Sequence, residues 1–112
     1  MTSALSSLSP LTLTEPGYYD DGSFGIRHEN VVLIEEAATP HRYKNEQYLT
    51  MEPVTMVPYQ QKMILPELLT PLEIEWLNEY HTKCWEQVGP LLREKGNMKV
   101  YQWLQNQTRL LG

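Results

Sequence analysis

The segment Thr70-Pro71-Leu72-Glu73 restricts this chain more than any other, because it writes the start of a long helix. Threonine with glutamate three residues later is a capping-box pattern, in which side-chain oxygens satisfy the free N–H groups of a first helical turn. Proline at the first helical position fits as well, since its missing N–H would have no partner there. Behind the cap, Ile74, Leu77, His81, Cys84, Val88 and Leu91 recur at steps of three and four, which lays them on one stripe of a helix. Gly89-Pro90 is expected to kink or divide that helix. Gly96-Asn97 ends it and opens a second one, with Val100, Trp103, Leu104 and Gln107 at helical spacing.

Upstream the period changes to two. Leu11 and Leu13 alternate with Thr12 and Thr14, as in a short half-buried strand. Pro16-Gly17 breaks the run, and Asp20-Asp21-Gly22-Ser23 is a turn signal. From Phe24 to Ile34 the β-branched enrichment predicts a buried strand. Residues 38–47 are polar, hold Pro40 and read as a surface loop. Tyr48 to Val57 is a third strand candidate, with Leu49, Met51, Thr55 and Val57 on one face and with Pro53 and Pro58 pointing to an edge or bulge. Gln60 to Glu67 reads as a connector. Strands first and helices second make an α+β piece, without internal repeats.

Composition matters here for what it excludes. A chain of 112 residues holds one domain or part of one. At 41% hydrophobic it is too apolar for a wholly disordered chain, and a formal charge of -5 leaves no basic footprint for nucleic acid. No apolar run approaches the ~20 residues of a membrane span. Cys84 is the only cysteine, so no internal disulfide can form, and a reducing, cytoplasmic setting is expected. Residues 1–10 are small and Ser-rich, resemble neither a secretory signal nor a transit peptide, and are expected to form a disordered tail.

Glu15 and Glu29 carry the chemistry. If the chain reverses around Gly22, these two residues stand at equal distances from the turn. Directly opposed side chains of an antiparallel pair have Cβ atoms roughly 4.5–5.5 Å apart. Two carboxylates in that position repel unless a cation sits between them, and an oxygen-rich site suits a hard divalent ion such as manganese or magnesium. Arg27, two residues from Glu29, shares its face and can tie down a neighbouring carboxylate. By spacing alone, two solvated strand-end glutamates are the stronger reading of the pattern, because the Pro-Gly in the intervening loop leaves the register open.

The whole run from Glu15-Pro16-Gly17-Tyr18-Tyr19 through Gly25-Ile26-Arg27-His28-Glu29-Asn30 resembles the final metal-binding segment of Xaa-Pro aminopeptidases (aminopeptidase P) of the M24 pita-bread metallopeptidases. The likeness continues through Leu49-Thr50-Met51-Glu52-Pro53, Val57-Pro58 and Trp76-Leu77-Asn78-Glu79-Tyr80-His81, over about residues 11 to 112. It implies the last strands of a pita-bread catalytic domain over residues 11–46 and the C-terminal region with its helical extension over residues 47–112, an incomplete fold. It also implies that Glu15 binds one of two metal ions, that Glu29 bridges both, and that Tyr19 and Arg27 hydrogen-bond beside the metal ligands. Two divalent ions, manganese in this family, activate water for attack on the bond before a proline in the second position of a peptide. His28 falls where the family generally has an aliphatic residue.

The same resemblance implies a shortfall. The family site also needs two aspartates and a histidine, which match nothing in this sequence: Asp20 and Asp21 belong to the turn, His41 to a loop and His81 to the helix stripe. The chain alone is therefore expected to bind the ions weakly or not at all, and to be inactive as a fragment. The alternative is a non-enzymatic interaction or dimerisation module derived from the family, whose enzymes commonly form homodimers. Neither nucleic acid nor membrane is an expected partner. His81 and Cys84, three residues apart, lack the further partners of a zinc site and are assigned to the core. Trp76, Trp85 and Trp103 are read as core aromatics whose usual packing partners lie outside this segment.

Overall fold

Thr70 caps its helix as its sequence predicts. In the computed structural model, which describes residues 11–112, Thr70 Oγ1 accepts from the Glu73 N–H at 3.2 Å, and helix α1 runs Pro71–Glu94. The expected tail at residues 1–10 lies outside the described residues. Helix α2 runs Met98–Gln107, with Asn97 Oδ1 accepting from the Val100 N–H at 3.4 Å. Between them Gly96 takes φ 72°, the left-handed conformation that ends a helix and favours glycine. These helices belong to the second of two compact units, Met56–Gly112; the first ends at Thr55.

The core of the second unit is small. Tyr80, Cys84 and Leu104 are buried, and His81 is buried with them. Adjacent side chains of α1 hold the preceding segment: Tyr80 Oη donates to the Val57 carbonyl at 2.7 Å, and His81 Nε2 accepts from the Tyr59 N–H at 3.1 Å. The tail is held in the same way. Asn78 donates to the Leu111 carbonyl and accepts from the Leu111 N–H, while Gln61 Nε2 donates to the carbonyls of Gln107 and Arg109. Side-chain amides thus satisfy backbone groups beyond the helix ends, where no regular ladder can.

Several expectations need correction here. Helix α1 is not divided at Gly89-Pro90; Pro90 lies inside it. Proline normally drives the preceding residue out of the helical region by clashing with its Cβ. Gly89 has no Cβ, and the Trp85 ring packs close to where one would be, with Cε3 3.2 Å from that position. Leu91 leaves the buried stripe and is exposed, whereas Leu92 is half-buried. Trp85 meets Tyr101 at 4.9 Å between ring centroids, but Trp76 and Trp103 are about half exposed within this chain.

Strands β1 (Leu11–Thr14), β4 (Asn30–Glu36) and β5 (Leu49–Pro53) form an antiparallel sheet in the order β1-β4-β5. Strands β2 (Gly17–Asp20) and β3 (Phe24–Arg27) form a separate antiparallel pair. The expected single strand from Phe24 to Ile34 is therefore two strands, and Gly17 begins a strand instead of ending one. The residues of β3 are all exposed, and only β4 reaches the core, through Val32. Thr12, which pairs with Val32, is half-buried while Leu11 and Leu13 are exposed, so the alternation of β1 is real but its sense is inverted. The face of β1 that carries its leucines has no covering layer among the described residues of this unit. Strand β5 ends at Pro53 on the sheet edge, where the missing N–H costs no ladder bond and the Val54 N–H still donates to the Val31 carbonyl at 2.9 Å; its Leu49 and Met51 are exposed.

Candidate metal centre

Both ladders count outward from Gly22. Thr14 pairs with Asn30 in β1–β4, and Gly17 pairs with Arg27 in β2–β3, so the two pairs are halves of one long hairpin with a single register. Gly22 sits at its tip with φ 76°, next to the Ser23 N–H bond to the Asp20 carbonyl at 2.9 Å. The ladder is interrupted where Pro16 has no N–H to give, although the Pro16 carbonyl still accepts from the His28 N–H at 3.0 Å. Glu15 and Glu29 fall at opposed positions of that register, inside the interruption.

Around this point the side chains form a connected set. Arg27 Nε donates to Glu29 Oε1 at 2.8 Å, with both side chains about half exposed, and the Arg27 Cζ lies 5.9 Å from the centre of the Tyr19 ring. The hydrogen bond with Tyr19, and then the one with Glu29, hold the guanidinium even more firmly charged than an ordinary arginine. An exposed ion pair contributes little to stability, so its significance is orientation: it fixes one oxygen of Glu29 and leaves the other free.

Two opposed carboxylates, one of them braced by arginine, suit a hard divalent cation. The set is partial. Among the described residues no cluster of three or more histidine, cysteine, aspartate or glutamate side chains could hold a metal. His41 is exposed in its loop. His81 and Cys84 are fully buried in the second unit, as expected for core residues.

Residues 47–111 match the family model described as the C-terminal region of peptidase M24. Aminopeptidase P1 of Lotus japonicus is 46% identical over 105 residues, which is 93% of this chain and 16% of that protein. Aminopeptidase P2 of Arabidopsis thaliana is 46% identical over 97 residues, covering 87% of this chain and 13% of its own length. This chain belongs to the aminopeptidase P family. The structure agrees: an X-prolyl aminopeptidase from Caenorhabditis elegans, described as a cytosolic enzyme with a di-nuclear active site, superposes with TM-score 0.79 at 32% identity over 90% of this chain and 16% of that one. The fold is thus the carboxy-terminal part of a pita-bread aminopeptidase, with antiparallel strands followed by helices. This chain spans about 13–16% of the length of the relatives it matches. No helix of its described residues is long and apolar enough to cross a membrane.

Sequence reading singled out Glu15, Glu29, Arg27 and Tyr19 but passed over Gly17 and Gly25, which lie under the last two. The signal was available: across Gly22 each glycine opposes one of the two bulky residues.

Proposed function

We propose that this chain supplies the carboxylate side of a two-metal Xaa-Pro aminopeptidase centre, which releases the residue preceding proline at a peptide amino terminus. The observation that carries this reading is the opposition of Glu15 and Glu29 in one hairpin register, with Arg27 bound to Glu29, in a chain of the aminopeptidase P family. Residues 11–46 then belong to the catalytic domain and residues 47–112 to its carboxy-terminal region. Glu15 would hold one ion and Glu29 would bridge the two, with manganese as the metal. Such a pair of ions supplies Lewis acidity and a water activated at neutral pH. Arg27 fixes the orientation of Glu29 through its 2.8 Å bond, and Tyr19 steadies Arg27. The remaining ligands come from sequence that this segment does not contain. The setting proposed is cytoplasmic, as for the worm relative. The homodimer implied by the family would show in sedimentation of the complete enzyme.

The test is hydrolysis of an Xaa-Pro-Pro peptide with added manganese. The 112-residue chain should show no turnover. A chimera in which residues 11–112 replace the matching end of the Arabidopsis relative should be active. Turnover by the chain alone would overturn the ligand set, and a folded but inactive chimera would overturn the functional reading.

The buried histidine of the second unit gives a separate, pH-dependent prediction. His81 Nε2 accepts a hydrogen bond, so the ring must be neutral with its proton on Nδ1, which is buried and has no hydrogen-bond partner in the structure. Burial lowers the pKa of His81 below the ordinary histidine value. The unfolded chain therefore takes up the proton first as pH falls, and stability is complete above about pH 6.5 and declines below it. The urea midpoint of the helical signal should drop between about pH 7 and pH 5, before most carboxylates titrate, and His81→Gln should flatten that slope. A midpoint that does not move across this window would contradict a neutral, buried His81.

A further inference from the structure

Strands β2 and β3 contain two glycines whose backbone does not require them. Neither Gly17 nor Gly25 is among the residues with positive φ, in contrast to Gly22 at the hairpin tip. Glycine weakens a strand relative to alanine, so its presence twice in one short hairpin calls for another cause. That cause is space. Tyr19 pairs with Gly25, and Arg27 pairs with Gly17, so each bulky residue faces a glycine and the two bulky residues lie on a diagonal.

The distances show how closely the space is used. A Cβ on Gly25 would lie 2.9 Å from Tyr19 Cδ1 and 3.3 Å from Cε1, both atoms of the ring itself. A Cβ on Gly17 would lie 2.9 Å from Arg27 Cγ, 2.9 Å from Tyr19 Oη and 3.1 Å from the Ile26 carbonyl oxygen. The Tyr19 ring thus lies over the bare backbone of Gly25, an arrangement by which an aromatic side chain covers a strand glycine. Its hydroxyl reaches over Gly17, where the stem of Arg27 also passes. There the guanidinium lies against Tyr19 and binds Glu29 at 2.8 Å.

We propose that Gly17 and Gly25 are positioning residues: their missing side chains form the cradle that sets Tyr19 and Arg27, and through Arg27 the orientation of Glu29. This deepens the two-metal reading and rests on it for its consequence in catalysis. A methyl group at residue 25 displaces the ring at its root, which no rotation of a flexible end can relieve. The ring then no longer backs Arg27, and the Arg27–Glu29 bond loses its fixed geometry. A methyl group at residue 17 pushes the arginine stem directly and meets backbone on its other side.

The two possible roles of these glycines predict opposite signs. A merely structural glycine in a strand is neutral to, or improved by, alanine. The cradle predicts a loss. In the active chimera, Gly25→Ala should weaken manganese affinity, measured by calorimetry, and lower kcat/KM, each by about 10–100-fold, as expected for groups that orient a metal ligand. On a Tyr19→Ala background, where no ring remains to be displaced, the same substitution should change either quantity by less than about 3-fold, because contacting residues couple non-additively. In the 112-residue chain, the Arg27 Nε–H resonance should shift and lose its protection from exchange in Gly25→Ala. An unchanged Arg27 resonance, or a Gly25→Ala loss that simply adds to that of Tyr19→Ala, overturns the cradle. A parent chimera that binds no manganese overturns the functional reading instead, and the Arg27 resonance then decides the cradle by itself.

Discussion

Glu29→Gln in the active chimera should lower kcat/KM by on the order of 10³-fold, with Glu15→Gln comparable and Arg27→Gln smaller, at about 10–100-fold. The ranking follows from what each change removes. Glutamine keeps the shape of the side chain but has no negative charge, and a neutral amide oxygen is a poor substitute where a carboxylate faces a divalent ion. At residue 29 the change also turns the charge-assisted 2.8 Å bond from Arg27 into a weaker neutral one and leaves the guanidinium without its anionic partner. Arg27→Gln leaves both carboxylates in place and removes only what orients one of them. Manganese titration separates the causes: affinity should fall steeply for the glutamate variants and moderately for Arg27→Gln. Activity of Glu29→Gln within about 10-fold of the parent at saturating manganese would remove Glu29 from the ligand set.

Much of this hairpin could be read without coordinates, because turn chemistry and register are local properties. Gly22 within Asp20-Asp21-Gly22-Ser23 marked the reversal, and counting outward from it already set Glu15 against Glu29, as both ladders do. What failed was the sense of burial. Leu11, Leu13, Leu49 and Met51 have the pattern of inward-facing strand residues, yet they are exposed in this chain. Alternation fixes which residues share a face, and only a packed layer decides which face is buried. The break between β3 and β4 was hidden for a related reason: Ile26 and Val31 extend the β-branched pattern to both sides of His28-Glu29, and the interruption arises from Pro16 on the partner strand. Helix α1 was legible from its cap, since Thr70 and Glu73 lie within one turn. Its passage through Pro90 was not, because the relief comes from the absence of a Cβ on Gly89. The cradle of Gly17 and Gly25 is legible only when the register is counted outward from Gly22, which sets each glycine against Arg27 or Tyr19.

The stripe of α1 leads to the largest stability effect expected in the second unit. Leu104 of α2 is 2% exposed, whereas Leu91 of α1, equally apolar and placed on the stripe by its spacing, is 56% exposed. Leu104→Ala should therefore cost about 2–5 kcal/mol, combining lost transfer energy with the cavity left among its neighbours. A unit this small has little stability in reserve, so that loss should remove most of its cooperative unfolding transition near room temperature. Leu91→Ala should stay within about 0.5 kcal/mol, because its side chain is largely solvated before and after the change. Urea unfolding of the 112-residue chain, followed by helical circular dichroism, compares the two directly. The contrast matters more than either value. Equal losses at the two positions would mean that periodicity places the core correctly and that Leu91 is covered in solution. A large loss at Leu104 alone would show that α2, and not the end of the α1 stripe, closes the core around Tyr80, His81 and Cys84.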